Sequence, residues 1–252
     1  MNRSQIEERR QENPFLSLSD ILYDIILQDI ISFKLKPGTR LNESSIAEQL
    51  GTSRSPVKSA LLRLYYDSYV VKNPGYRVVD FSVEEYRDLW EFSDLIEPYA
   101  ASRVALRANT EELDRLYQIA FEMQDICGVG DVSLIRKNYE RIMVLEYKFH
   151  SSIINLSQHA LVQTVYDEIK YRLYRYRRYL NYDPPEGYFD VVGKEHVLIC
   201  NVLKLHDADM AKAVMHRHLI AARREFYKRF ATDKEKMNLR TIDLENKKKQ
   251  NQ

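Results

Sequence analysis

The spacing of hydrophobic residues in the first 80 positions predicts three short helices. Apolar side chains recur every three or four residues over about 19–33, 42–50 and 55–67, as on the buried face of a helix. Gly51 marks a tight turn between the second and third helices, and Pro56 stands at a first-turn position where proline fits. The predicted inward positions are Ile21, Leu22, Ile25, Ile26 and Ile30, then Ile46, Ala47 and Leu50, then Val57, Ala60, Leu61 and Leu64.

Two short runs of strand-forming residues follow the third helix. They cover about 70–72 and 76–79, and the turn sequence Asn73-Pro74-Gly75 joins them, so together they predict a β-hairpin. Three helices followed by a hairpin predict a winged helix-turn-helix. We place this domain at 18–80, after an N-terminal arm at 1–17.

The chain after about residue 81 has the pattern of long helices. Six are predicted, over about 82–108, 110–127, 131–157, 159–182, 189–205 and 207–230. Their boundaries include Gly128-Val129-Gly130 and Asp183-Pro184-Pro185-Glu186-Gly187. The predicted fold class is therefore mainly α, with an N-terminal winged helix-turn-helix and a C-terminal all-α six-helix bundle at 81–230. The charged tail at 231–252 is expected to be frayed, with an extension of the last helix as the alternative.

The composition narrows the class of protein. Only 7 glycines and 7 prolines in 252 residues suit long helices, and the 44% hydrophobic residues suffice for a core. No Gly-rich phosphate loop, GxSxG or CxxC motif supports the common nucleotide-dependent or nucleophilic enzymes. Without a long apolar run, a signal peptide or a cysteine framework, the expected compartment is the cytoplasm. The net charge is only +1, so any basic surface must be local.

The third predicted helix is basic and carries no acidic residue between 53 and 64. Arg54 and Lys58 are four residues apart and share a face, and Arg54 could grip O6 and N7 of a guanine. Hydroxyl and backbone groups at the helix start suit phosphates, and a glycine at the hairpin tip suits a close approach to the minor groove. The predicted DNA-binding residues are Ser44, Ser53, Arg54, Ser55, Lys58, Arg63 and Gly75. A solvated basic helix in an ordinary small domain is the alternative.

Three histidines and one glutamate on the long helices could bind a metal. Glu146 and His150 are four apart on one helix, while His196 and His218 lie on the last two predicted helices. One carboxylate and three imidazoles suit zinc or another divalent transition metal. From the residues alone, the alternative of hydrogen-bonded core or surface histidines stays open.

Motifs in the first domain resemble a known family. Residues 35–43 (LKPGTRLNE), 46–51 (IAEQLG) and 53–58 (SRSPVK) are similar to the pattern LkPGxxLxExxLAxxLGVSRxPVRxAL of GntR-family bacterial transcription regulators. The resemblance implies DNA contacts at Arg54, Lys58 and Gly75. Lys58 stands where arginine is usual, which keeps the charge but loses the bidentate fork.

The second domain resembles the FCD ligand-binding domain of the FadR-type branch of that family. Residues 195–219 fit its pattern beginning EH and ending HL, and 146–150 (EYKFH) fit DxxFH with Glu for Asp. The resemblance implies that a metal ion is bound by Glu146, His150, His196 and His218. The expected metal is zinc, with nickel or manganese as alternatives. The resemblance also implies a pocket for a small molecule beside the metal.

The resemblance also bears on the effector. In the family, an arginine that can bind a carboxylate effector often stands four residues before Glu97, but this position is Ser93 here. Either the effector is not a simple organic acid, or the cation comes from elsewhere in an effector site that includes Ser93. Its cation would come from the basic segment 170–179, with Arg172 as the candidate. His206 and His216 match no ligand position and are expected on the surface.

These features predict a ligand-responsive transcription repressor and no enzyme. It would bind double-stranded operator DNA as a homodimer, with a small effector such as an organic acid, and no membrane. A metal-dependent enzyme and a metal-stabilised structural domain without an effector remain as alternatives.

Overall fold

The computed structural model describes residue 1 and residues 3–128, 131–181 and 188–250. The predicted helix boundaries at 129–130 and 183–187 lie outside these residues. The chain divides into two compact units, Met1–Ser82 and Val83–Gln252.

The first unit is a winged helix-turn-helix preceded by one more helix. Its elements are α1 (Ser4–Glu12), α2 (Leu18–Ile31), β1 (Arg40–Leu41), α3 (Glu43–Leu50), α4 (Arg54–Tyr66), β2 (Val70–Lys72) and β3 (Tyr76–Val78). α4 packs against both α2 and α3. Every apolar position that the periodicity placed inward on α2, α3 and α4 is buried, so the core of this unit is confirmed.

Two elements of this unit were not predicted. α1 lies in the region expected to be an arm, and only Ile6 of this helix is buried, so it has no apolar period to detect. β1 is the third strand of the wing, in the order β1-β3-β2, and pairs antiparallel with β3 through Leu41 and Tyr76. A strand of two residues is too short to show an alternating pattern.

The second unit is all-helical. Its helices are α5 (Val83–Arg107), α6 (Thr110–Cys127), α7 (Val132–Lys137), α8 (Tyr139–Leu156), α9 (Ala160–Asn181), α10 (Tyr188–Leu203) and α11 (Ala208–Gln250). α5 packs against α8, α9 and α11, whereas α6 packs against α8 and α10. The predicted fold class, mainly α with a winged helix-turn-helix, is confirmed. No helix among the described residues is long and apolar enough to cross a membrane.

Two helix predictions in this unit need correction. The helix expected over 131–157 is interrupted at Asn138, which has φ −97° and ψ 8° and separates α7 from α8. Its side-chain amide donates to the Leu134 carbonyl oxygen at 2.9 Å. The last helix does not end near 230 but continues through the charged segment to Gln250, as in the alternative considered for the tail.

Candidate nucleic-acid interface and metal centre

The start of α4 is open on the surface of the first unit. Gly51 ends α3 in the left-handed conformation, with φ 64°, and turns the chain sharply into α4. Ser53 is the N-cap residue of α4, but its side chain makes no capping hydrogen bond. The exposed residues at this end of the helix pair are Ser44, Ser53, Arg54, Ser55 and Lys58, all of them predicted DNA contacts. Free helix N–H groups, hydroxyls and cations therefore lie together where a helix-turn-helix meets DNA.

Arg54 has one acidic neighbour. Its Nη2 atom lies 3.7 Å from Oε2 of Glu43, at the first residue of α3, and the arginine side chain is 69% exposed. At that distance and exposure the pair is weak. The guanidinium therefore stays accessible to a base edge or a phosphate.

The tip of the β2–β3 hairpin is exposed to solvent, like the start of α4. Gly75 has φ 73°, and apart from its two chain neighbours no atom of the described residues lies within 4 Å of the place where a Cβ would be. Asn73 N–H donates to the Gly75 carbonyl oxygen at 2.9 Å and closes the turn. Lys72, exposed at the end of β2, is a cation beside this tip that the sequence analysis did not single out. Its position directly before the predicted turn was the signal that could have found it.

Arg63, another of the predicted DNA-binding residues, has partners within the first unit. Its Nη1 atom donates to Oδ1 of Asp20 at 2.9 Å, and its guanidinium lies 4.1 Å above the centre of the Tyr23 ring. Tyr23 in turn donates to Asp67 at 2.6 Å. Arg63 therefore belongs to the packing of α2 on α4. The sequence analysis missed this because Asp20 lies on another helix, 43 residues away.

We expect Arg63→Gln to change stability rather than DNA affinity. Losing a partly exposed ion pair and a cation–π contact should lower the free energy of unfolding by about 1 kcal/mol. Urea unfolding measures this cost, and fluorescence anisotropy with an operator duplex should show an unchanged Kd. An unchanged stability together with a marked loss of DNA affinity would instead make Arg63 a DNA contact.

In the second unit, three histidines from different helices converge. His150 on α8, His196 on α10 and His218 on α11 are all buried, and one ligand nitrogen from each lies within 4.8 Å of the other two. Among the described residues, the buried Nε2 atoms of His150 and His196 have no hydrogen-bond partner of good geometry. A buried polar atom without a partner is costly, so these nitrogens fit a ligand such as a metal ion.

The other ring nitrogen of each histidine is engaged. The Nδ1 partners are Oε2 of Glu97 at 2.5 Å for His150, the Val192 carbonyl oxygen at 2.7 Å for His196, and Oε2 of Glu195 at 2.8 Å for His218. Since these partners accept hydrogen bonds, each Nδ1 is assigned a proton, and in the neutral imidazole each Nε2 would present a lone pair. Metal-binding histidines are held in this way by a carboxylate or a carbonyl behind the ring.

Glu146 completes the cluster. Its Oε1 lies 3.2 Å from Nε2 of His150, and its Oε2 lies 3.1 Å from Nε2 of His196. Burial alone would raise the pKa of this carboxyl, but the two imidazoles outweigh it and hold the pKa well below the usual value. The group is thus an ionised carboxylate among three imidazoles, and the four residues fit a divalent transition metal.

The protonation of the histidines also suits a cation. Burial lowers the pKa of His218 to about 4, so this imidazole is neutral at pH 7. Burial and Arg177 lower the pKa of His150, but Glu97 and Glu146 outweigh them and raise it. A metal ion would take the place of that proton, because a ligand nitrogen must be deprotonated.

Close packing of α10 on α6 sets the position of His196. Gly193 lies three residues before it, and a Cβ at Gly193 would come within 2.9 Å of the Gln124 Cα atom on α6. Only glycine allows the two helices to approach this closely.

Arg172, predicted near the metal, lies elsewhere. Its Nη2 atom is 2.7 Å from Oε1 of Glu85, near the start of α5. Glu85 precedes Glu97 by twelve residues, or about 18 Å of helix at 1.5 Å per residue. Arg172 therefore does not lie near the histidines. The basic segment 170–179 that was expected to supply a cation is nevertheless part of α9, the helix that also carries the buried Arg177.

The buried cation beside the cluster is Arg177. Its Nη2 atom donates to Oε1 of Glu97 at 2.7 Å, and its side chain is only 5% exposed. Ser93 donates to the same oxygen at 2.5 Å, so it lies near the site as predicted, within hydrogen-bond reach of Glu97. Burial raises the pKa of Glu97, but Arg177 and His150 outweigh it and bring the pKa to about 2. The spacing of Arg177 from Leu173, a buried residue four positions earlier, could have identified it.

The two remaining histidines considered above lie apart from the cluster. His206 Nδ1 is 2.8 Å from the Ala105 carbonyl oxygen, and His216 Nδ1 is 2.7 Å from Oδ1 of Asp94. Both residues are exposed, as expected.

The fold and these sites define a class of protein. A winged helix-turn-helix with an open recognition helix, joined in one chain to a helical unit that holds a buried histidine cluster, is typical of DNA-binding transcription regulators. Residues 18–79 match the family model of bacterial regulatory proteins of the gntR family, and residues 88–221 match that of the FCD domain. The chain belongs to the gntR family and carries an FCD domain.

Relatives and solved structures agree with this family. The chain is 24% identical to the HTH-type transcriptional repressor RspR of Escherichia coli (strain K12), over 83% of this chain and 89% of that protein. It is 23% identical to the gluconate operon transcriptional repressor of Bacillus licheniformis, over 75% and 76%. The fold is similar to that of E. coli McbR/YncC, with a TM-score of 0.71 and 20% identity over 86% of this chain and 100% of that chain.

The family and its relatives are DNA-binding transcription regulators. The chain is therefore a transcription regulator and not the metal-dependent enzyme considered above.

Proposed function

We propose that this regulator is a repressor whose FCD domain binds a divalent metal and a small organic acid, and that the acid changes its affinity for operator DNA. Zinc is the metal we expect, with nickel and manganese as alternatives. The repressor would act in the cytoplasm on double-stranded DNA.

The observation that carries this proposal is the common orientation of the three buried imidazoles. Each Nδ1 is engaged behind its ring, the Nε2 atoms of His150 and His196 lack partners, and the Glu146 carboxylate lies beside both. Without a ligand, these two buried nitrogens would make only the contact with Glu146. Incomplete hydrogen bonding of a buried polar atom costs free energy of folding. A metal bound by Glu146, His150, His196 and His218 would satisfy them and supply a Lewis-acidic centre for an anionic ligand.

The charges near the cluster favour an acid as the effector. The ionised carboxylates of Glu97 and Glu146 are balanced in part by Arg177. A divalent cation bound near the Arg177 guanidinium would give the site two cationic groups that a carboxylate of the effector could contact. Ser93 and Arg177 are the neighbours we assign to this effector, with Arg177 in the role first expected of Arg172.

We also propose that the chain acts as a homodimer. Two recognition helices in successive major grooves would match a near-palindromic operator. Leu95, Tyr99 and Leu106 lie along one stripe of α5 and are 72%, 39% and 67% exposed. A row of exposed apolar side chains on one helix supports a self-complementary contact there.

The effector proposal is tested with the metal-loaded protein and an operator duplex. Acetate, L-lactate, succinate and D-gluconate are titrated, the last because a relative is named for the gluconate operon. We expect at least one acid to bind in calorimetry and to change the operator Kd about 5- to 150-fold, the usual range of allosteric coupling. Sedimentation of the same complex should give two chains per duplex.

The control is His218→Ala, which should lose both the heat of acid binding and the change in operator Kd. Metal binding without any response to the acids would instead support the alternative of a metal-stabilised structural domain.

A further inference from the structure

α1 lies outside the residues that match the gntR family model and packs against the helix-turn-helix. Ile6 is buried where α1 meets α2. The Gln49 side-chain amide, near the end of α3, donates to the Met1 carbonyl oxygen at 2.9 Å. The beginning of the chain is therefore attached beside the turn that leads into the recognition helix.

The two ends of α1 face different ends of the recognition helix. Arg3 lies beside Gly51, at the entry to α4. At the other end of α1, Arg9 interacts electrostatically with Asp24 of α2. Asp20, one turn earlier on α2, pairs with Arg63 in the second half of α4. Arg3 is thus on the side of the residues that read DNA, and the end of α1 is on the opposite side.

Arg3 has an exposed guanidinium at this turn. Its Cδ and Nη1 atoms lie 3.5 and 3.7 Å from the place where a Cβ of Gly51 would be. The side chain is 75% exposed, and its acidic neighbour Glu7 is 3.9 Å away and 67% exposed, which makes a weak pair. Ser53, the N-cap residue of α4, follows Gly51 by only two residues.

We propose that Arg3 binds a DNA phosphate beside the base pairs that α4 reads, so that α1 is a third DNA-contacting element. When the start of α4 enters the major groove, the turn before it approaches the sugar–phosphate backbone. A planar guanidinium at this turn can hold two phosphate oxygens at once. Such a contact strengthens binding and sets the position of the protein on DNA without reading sequence. This inference rests on DNA reading by α4.

The test is the salt dependence of DNA binding, measured by fluorescence anisotropy on an operator duplex and on a scrambled duplex. We expect Arg3→Ala to weaken binding to both duplexes by the same factor, about 3- to 10-fold at low salt. The slope of log K against log salt should become shallower by about 0.9, which corresponds to one phosphate contact. Arg3→Lys should keep most of the slope because it keeps the charge.

Arg10→Ala is the matched control, because Arg10 is exposed on the same helix but seven residues further on. It should leave the slope unchanged, and thermal unfolding of both variants checks that α1 still packs.

Two outcomes separate this inference from the proposed function. An unchanged slope in Arg3→Ala, with operator binding still lost in Arg54→Ala, would overturn only the role of α1. If Arg54→Ala also bound the operator as tightly as the wild type, DNA reading by α4 would be wrong, and the role of α1 with it.

Discussion

Zinc added to the metal-free protein is expected to raise the midpoint of thermal unfolding by about 5–10 °C. A ligand that binds only the folded state at 100 times its Kd stabilises it by about 2.7 kcal/mol. In a domain of 150–250 residues, each kcal/mol shifts the midpoint by about 2–4 °C. The physical cause is that the ion would bind the buried Nε2 atoms of His150 and His196 together with the Glu146 carboxylate that lies beside both. Differential scanning fluorimetry with and without a chelator measures the shift.

The histidines on α11 provide a matched pair of variants. His218→Ala removes a predicted ligand and should abolish the zinc-dependent shift. His216→Ala, two residues earlier on the same helix, removes only an exposed contact with Asp94 and should keep it. The same shift in both variants would show that zinc binds elsewhere or that the histidine cluster is an ordinary buried network.

Arg54→Ala is expected to weaken operator binding about 10- to 100-fold while leaving binding to a scrambled duplex nearly as it was. A bidentate arginine–guanine pair contributes about 1–3 kcal/mol of discrimination against the wrong base. Arg54 is the first residue of α4, 69% exposed, and its contact with Glu43 at 3.7 Å does not occupy the guanidinium. Anisotropy titrations of both duplexes at one salt concentration measure the loss.

Arg115→Ala is the control for a general loss of positive charge, because Arg115 is exposed on α6 and pairs with Glu111. It should bind both duplexes like the wild type. If Arg54→Ala weakened both duplexes equally, Arg54 would be a phosphate contact and the base reading would lie with other residues.

Much of the first unit was predictable because apolar residues recur at helical spacing along α2, α3 and α4. The periods of α2, α3 and α4 are set by residues that the core must bury, so the sequence pattern and the packing coincide. α1 was not predictable, because Ile6 is its only buried residue. Its position depends on contacts with Gln49 and Gly51, which lie far away in the sequence.

The observed positions of Arg63 and Arg172 have a shared explanation. Arg63 and Arg172 were assigned by charge and helical face, but each pairs with an acid from another helix, Asp20 and Glu85 respectively. Helical periodicity shows which face a residue occupies and not which partner it meets. For the same reason, the sequence alone did not show that Arg177 would meet Glu97.

The metal ligands were proposed from a resemblance, and the structure adds what no spacing could show. The residues behind the rings, Glu97, Val192 and Glu195, come from two helices and include a backbone carbonyl. Only the packed helices reveal that one ligand nitrogen of each histidine lies within 4.8 Å of the other two.

The most direct test of the account is selection of binding sites from a library of randomised DNA duplexes by the full-length protein. We predict strong enrichment of one motif with approximate two-fold symmetry, because two copies of α4 would read two half-sites. The same selection with Arg54→Ala should lose the motif. Recovery of DNA without any common sequence by the wild-type protein would contradict sequence-specific reading by α4, and with it the central claim.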